Sequence, residues 1–122
     1  MGSAWTVEVA SEDFARFARS LDEYEQSILD VAVREVLAVE GIAMCESEWG
    51  KALGRGLYEF RIRRSLDAIL RVTGMAHMRR GKRVVLLLGG YDKGKDPSGR
   101  RQQREIAAAR RVLAEWKGRQ RT

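Results

Sequence analysis

Six residues in the second half of this chain have the types and spacing to handle a phosphodiester: Arg61, Arg63, Arg71, Tyr91, Lys93 and Lys95. In the run GLYEFRI, alternation sets Tyr58, Phe60 and Ile62 on one side and Glu59, Arg61 and Arg63 on the other. In ILRV it sets Arg71 against Leu70 and Val72. If these strands form a hairpin, Arg61 and Arg71 fall roughly opposite each other. Facing like charges cost stability on a sheet, so a repeated cationic face suggests a bound anion. Arg suits phosphate because its planar fork reaches two oxygens at once. A Lys crowded by Arg has its pKa pushed down and becomes a plausible base, which puts Lys93 or Lys95 in that role. Tyr91 is placed to stack on a nucleobase. RNA cleavage through its own 2′-hydroxyl needs such groups and no metal.

Other chemistries find little support. One His and one Cys cannot build a structural zinc site, and His77 and Cys45 lack a third partner for nucleophilic catalysis. Cys45 reads as a small, partly buried thiol. His77 reads as an exposed turn residue or a weak candidate for the proton donor. Glu59, the only acid on the basic face, is either a salt-bridge partner or a general base. Gly89 to Asp96 fits G-x-x-x-x-G-K-D, close to a P-loop, but Asp96 stands where magnesium needs Ser or Thr. No cofactor is expected.

Charge is divided along the chain. Residues 1–50 carry three basic and eleven acidic side chains, a net −8; residues 51–122 carry 20 and 6, a net +14. Such asymmetry is the footprint of a nucleic acid or acidic partner. Arg79, Arg80, Arg100, Arg101 and Arg104 join Arg63 as candidate RNA contacts. The length fits one domain, 1–122. The single cysteine suggests a reducing compartment. No apolar run is long enough to span a bilayer, and charges throughout residues 5–20 argue against a secretory signal. A cytoplasmic location without membrane partners is expected.

The elements that must position these residues follow from periodicity. Trp5 to Val9 alternates as a half-buried strand. Ser11 caps a helix carrying Phe14, Phe17 and Leu21. Ser20-Leu21-Asp22-Glu23 predicts a capping box for a second helix ending at Gly41. Ile42 to Arg55 reads as a loop. Strands follow at Leu57–Arg63, Ile69 to about Met75 and Val84–Leu88, with Gly89-Gly90 kinking the end of the last. Arg79 to Lys82 reads as a turn. Asp96 and Pro97 open a final helix with Ile106, Ala109, Leu113 and Trp116 on its buried stripe. The expected fold is α+β: a small twisted, mainly antiparallel sheet, a helical pair on one face, a basic open face and a C-terminal helix, in the order β-α-α-β-β-β-α.

With these runs in order, GLYEFRI, ILRV, VVLLLGGYDK and the Pro-initiated helix DPSGRRQQREIAAARR, the chain resembles the HigB-like, phage-derived branch of the RelE/ParE toxin superfamily. The likeness spans roughly Trp49 to Trp116. Thr73-Gly74 stands where that family prefers bulky aromatics, and its lysine run is shortened to Lys93-Gly94-Lys95. The resemblance implies a RelE-like fold and a type II toxin: a ribosome-dependent mRNA endonuclease neutralised by a cognate acidic or helix-turn-helix antitoxin. It carries family roles onto Arg61, Arg71, Lys93 and Tyr91. Two other readings stand beside it. One is a non-catalytic module of the same fold that binds nucleic acid or protein, and the other is a ParE-like toxin directed at gyrase.

Overall fold

The computed structural model describes residues 5–41, 50–63, 69–92 and 99–120. The expectations for Cys45, Lys93, Lys95, Asp96 and Pro97 fall outside these residues.

Strand β1 (Thr6–Val9) leads into helix α1 (Glu12–Arg19) and helix α2 (Glu23–Val31). The second helix widens into a π-helical stretch, Ala32–Leu37, and closes with α3 (Ala38–Glu40). Strands β2 (Gly50–Gly54), β3 (Leu57–Arg63), β4 (Ile69–Arg79) and β5 (Lys82–Asp92) come next, and helix α4 (Gly99–Gln120) ends the described chain. The strands form one mixed sheet in the order β1-β5-β4-β3-β2. Strand β1 runs parallel to β5, and the remaining pairs are antiparallel. The architecture is therefore α+β with a mixed five-stranded sheet. No helix among the described residues is long and apolar enough to cross a membrane.

Local chemistry explains the helix boundaries. The Ser11 hydroxyl accepts from the Phe14 amide and fixes the start of α1. The capping box of α2 forms on Asp22 and Glu25, two residues later than the pattern at Ser20 predicts. Ser20 instead closes α1, its hydroxyl donating to the Phe17 carbonyl at 2.6 Å.

Three expectations about the sheet are corrected. Residues Gly50–Gly54, read as loop, form an edge strand, so the order β-α-α-β-β-β-α gains a strand. Two glycines and a short side-chain pattern hide it. The pairing comes instead from a tight turn in which Arg55 and Gly56 both take positive φ (53° and 80°). Strand β4 runs to Arg79, beyond Met75, and its turn to β5 is just Arg80-Gly81, with φ of 50° and 81°. Strand β5 does not end at the glycines but continues to Asp92.

Both faces of the sheet are covered. One core packs Phe14, Leu21, Leu29 and Leu37 of the helical pair on Phe60, Ile62, Leu70, Val72, Val85 and Leu87. The other packs Ala109, Val112, Leu113 and Trp116 of α4 on Leu57, Val84, Leu86 and Leu88. The face expected to lie open is thus the seat of α4.

A one-residue irregularity between β4 and β5 decides which side chains share that seat. Thr73 pairs with Gly89 while Gly74 pairs with Leu87, so Leu88 is the extra residue of a bulge. Strict alternation from Leu86 and Leu88 would send Tyr91 to the helical-pair side. The bulge turns it toward Arg71 and α4. Gly74 makes the close approach possible: a Cβ there would lie 2.7 Å from the Phe60 ring and 2.8 Å from the Leu86 carbonyl oxygen. That carbonyl belongs to the sheet and cannot yield. Gly74→Ala is therefore expected to destabilise the fold by about 1–3 kcal/mol or more through overpacking. Gly89→Ala, whose Cβ would meet the Thr73 hydroxyl at 3.4 Å, is expected to cost much less. Urea unfolding of the two variants beside the wild type measures the difference.

Candidate nucleic-acid interface

The α4 side of the sheet carries a grid of polar residues at one end and apolar residues at the other. Register gives two polar rows. Arg61 pairs with Arg71, which pairs with Tyr91; Glu59 pairs with Thr73, which pairs with Gly89. The next positions, Leu57 and Met75, already belong to the apolar core beneath the C-terminal half of α4. The first turns of α4 lie over the polar rows. Their anchors are Gln102, whose amide reaches Glu59, and Arg101, whose guanidinium stands 5.6 Å from the Tyr91 ring.

Burial defines the electrostatics. Glu59 is fully buried at 0% exposure and Arg71 is 6% exposed. Arg71 Nη1 donates to Glu59 Oε1 at 2.9 Å. Arg61 Nε stands 3.5 Å from the same oxygen, and the Arg61 side chain keeps 32% of its surface. Gln102 Nε2 donates to Glu59 Oε2 at 3.3 Å. One carboxylate thus faces two guanidiniums and leaves an excess positive charge, which Arg61 presents to solvent. Arg101 is matched locally by Glu105 at 2.8 Å.

The cluster is incompletely satisfied. Among the described residues, Arg61 Nε, Arg71 Nε and Thr73 Oγ1 are buried without a hydrogen-bond partner. A buried polar group left unmet costs about 1–3 kcal/mol, so such groups mark stored strain or a functional site. Burial, and after it the Glu59 charge, hold the Tyr91 phenol above its ordinary value, against the opposing pull of Arg71. Tyr91 therefore stays neutral, but it is 2% exposed beneath Arg101, so the ring expected to stack on a nucleobase is covered in this arrangement.

The remaining expected residues divide into groups. Arg63 is exposed at the end of β3, on the Arg61 side by alternation. Arg100 and Arg104 are exposed on the outer surface of α4, beside Gln103 and Ala107. Arg80 sits on the hairpin tip at the other end of β4, roughly 30 Å from Arg71 at about 3.3 Å per residue. Of Arg79 only the backbone is described. Arg55, absent from the sequence-based set, is an exposed hairpin-tip residue at the same end as Arg80. Both arginines sit at positive φ, where Gly or Asn is usual. The sequence signal was the repeated Arg-Gly pair.

Two single residues change their reading. His77 is not in a turn: it lies within β4, half-buried, its ring edge-on to Trp116 at 4.8 Å. It stands roughly 20 Å along the strand from Arg71, which removes it as an acid for this site. Glu59 is held by two guanidiniums and an amide, which engages both its oxygens and makes it an anchor. Gln102 was missed because a helix stripe with a polar half reads as a solvated face. Among the described residues, no group of three or more His, Cys, Asp or Glu side chains is placed to hold a metal ion.

Comparison with protein-family models, curated proteins and solved structures finds no match for the chain.

Two expectations follow from the buried cluster. Glu59→Leu leaves Arg71 charged and unpaired, and should cost about 3–5 kcal/mol in denaturant unfolding. The double variant Glu59→Leu/Arg71→Met removes both charges and should recover much of that loss. The raised Tyr91 pKa makes the native state keep a proton that the unfolded state releases. Stability from this source is present below the ordinary value of 10.0 and declines as pH rises through it. Tyr91→Phe should flatten the alkaline decline, which melting temperatures across that range would reveal.

Proposed function

We propose that this chain is a RelE-like endoribonuclease toxin that cuts mRNA on the ribosome without a metal. It would work in the cytoplasm, neutralised by a cognate acidic or helix-turn-helix antitoxin. The observation that carries the reading is the row Arg61, Arg71 and Tyr91, set side by side on one face of an α+β sheet. Two guanidiniums side by side suit a phosphodiester. The exposed edge of Arg61, with Arg63, Arg100 and Arg104, offers contacts for the flanking phosphates.

In the proposed reaction the 2′-oxygen attacks the adjacent phosphorus as its proton passes to Lys93 or Lys95. Both lysines follow β5 directly in the chain. Arg61 and Arg71 take the charge that builds on the phosphorane oxygens. The P–O5′ bond breaks and the leaving oxygen takes a proton from the lysine that received the 2′-hydroxyl proton or from water. The products are a 2′,3′-cyclic phosphate and a 5′-hydroxyl.

The burial of Arg71 against Glu59 favours a second reading, a non-catalytic module of the same fold that binds nucleic acid through Arg61 and α4 alone. Cleavage decides between them. Ribosome-bound mRNA incubated with the chain and EDTA should yield cyclic-phosphate ends, and Arg61→Ala should lower the rate by about a hundred- to a thousandfold. Binding without cleavage would select the second reading. Chelator-sensitive cleavage leaving a 3′-hydroxyl would falsify the mechanism. Salt gives an independent check on the interface. Four phosphate contacts on a single strand predict that a fourfold rise in salt weakens binding by about fiftyfold. A flat response would remove nucleic acid as the partner.

A further inference from the structure

Half of this interface is shut. Arg71, the inner member of the cationic pair, is covered by the first turns of α4 and neutralised by Glu59. We infer that the free chain keeps Arg71 closed behind Glu59 and the Gln102 contact, and that a polyanion engages Arg71 only when the first turns of α4 lift. The identity of the ligand rests on the nucleic-acid reading above; the closure itself rests on geometry alone.

Helix α4 is built in two unlike halves. Its fully buried residues, Ala109, Val112, Leu113 and Trp116, all lie in the later part. The first turns meet the sheet through polar groups: Gln102 on Glu59 at 3.3 Å, and Arg101 over the Tyr91 ring. Gly99 opens the helix and adds little helical propensity. A helix end held by polar contacts opens at small cost while its apolar half stays docked.

The closed arrangement is also imperfect beneath the helix. Arg71 Nε and Thr73 Oγ1 are buried there without hydrogen-bond partners among the described residues. Opening would free both groups to meet water or an anion. Arg61 is a third exposed and needs no opening. The sequence of events is then ordered. Arg61 captures a phosphate first, the first turns of α4 lift, and the anion takes the edge of Arg71 that Glu59 and Gln102 have guarded.

The test labels the full-length chain with phenylglyoxal, which reacts with accessible guanidiniums, and reads backbone hydrogen exchange by mass spectrometry. In the wild type, Arg61 should label readily and Arg71 far more slowly. Gln102→Ala removes the contact with Glu59. It should speed Arg71 labelling and exchange at residues 100–104 by about fivefold, the worth of one modest hydrogen bond. Exchange at Val112–Trp116 should not change. Gln102→Glu, with a second carboxylate beside Glu59, should open the site further. Unchanged Arg71 labelling in both variants would overturn the closure.

A second arm adds a saturating single-stranded oligoribonucleotide to the wild type. Faster exchange at residues 100–104 supports opening by the polyanion, and slower exchange there overturns it. This arm decides the matter should a Gln102 variant loosen Val112–Trp116 as well. If the oligoribonucleotide binds neither wild type nor variant, the nucleic-acid reading falls while the labelling result still judges the closure.

Discussion

Burying a carboxylate is tolerable only when opposite charge and hydrogen bonds surround it, and Glu59 imposes that condition on its neighbourhood. Its carboxylate sits at the centre of the sheet's polar end with no exposure to water. Arg71 must stand across from Arg61 to meet it, Gln102 must come down from α4, and the helix must present a polar half where it crosses the cluster. The same condition makes two cations stable side by side. A facing pair of arginines would repel on an ordinary sheet, but sharing one carboxylate converts repulsion into a bridge.

Around this centre the backbone is arranged with little slack. The bulge at Leu88 rotates the far end of β5, so that Tyr91 completes the row begun by Arg61. Glycine at position 74 allows the strands to close around that irregularity. Neither feature contributes a side chain to the chemistry. Both determine which side chains meet there, and α4 then divides the face into a dry end and a charged end.

The facing of Arg61 and Arg71 was legible in the sequence because strand alternation is a short-range signal and both strands keep it. Periodicity equally announced the helical pair, three of the four later strands and the closing helix. Strand β2 was not, since its pairing depends on a turn and on the backbone of β3 and not on its own side chains. The covering of the cationic face was hidden as well. Ile106, Ala109, Leu113 and Trp116 announce a buried stripe, but nothing in Arg101 or Gln102 announces that the polar turns before it also lie on the sheet. The burial of Glu59 depends on that covering. The reach of β5 past its glycines was obscured because Gly89-Gly90 signals a stop as readily as a bulge.

The parallel pairing of β1 with β5 has a consequence for how the chain is made. Val9 lies beside Leu87, and the Ser11 hydroxyl that caps α1 also donates to the Leu88 carbonyl. Strand β1 therefore leaves the ribosome well before β5, its partner. Until β5 emerges, Phe14, Leu21 and Leu29 have helices but no completed sheet to pack on. Contacts of such long sequence separation form slowly, and the waiting apolar face is open to association. The net charge of −8 carried by residues 1–50 opposes that association until the sheet is complete.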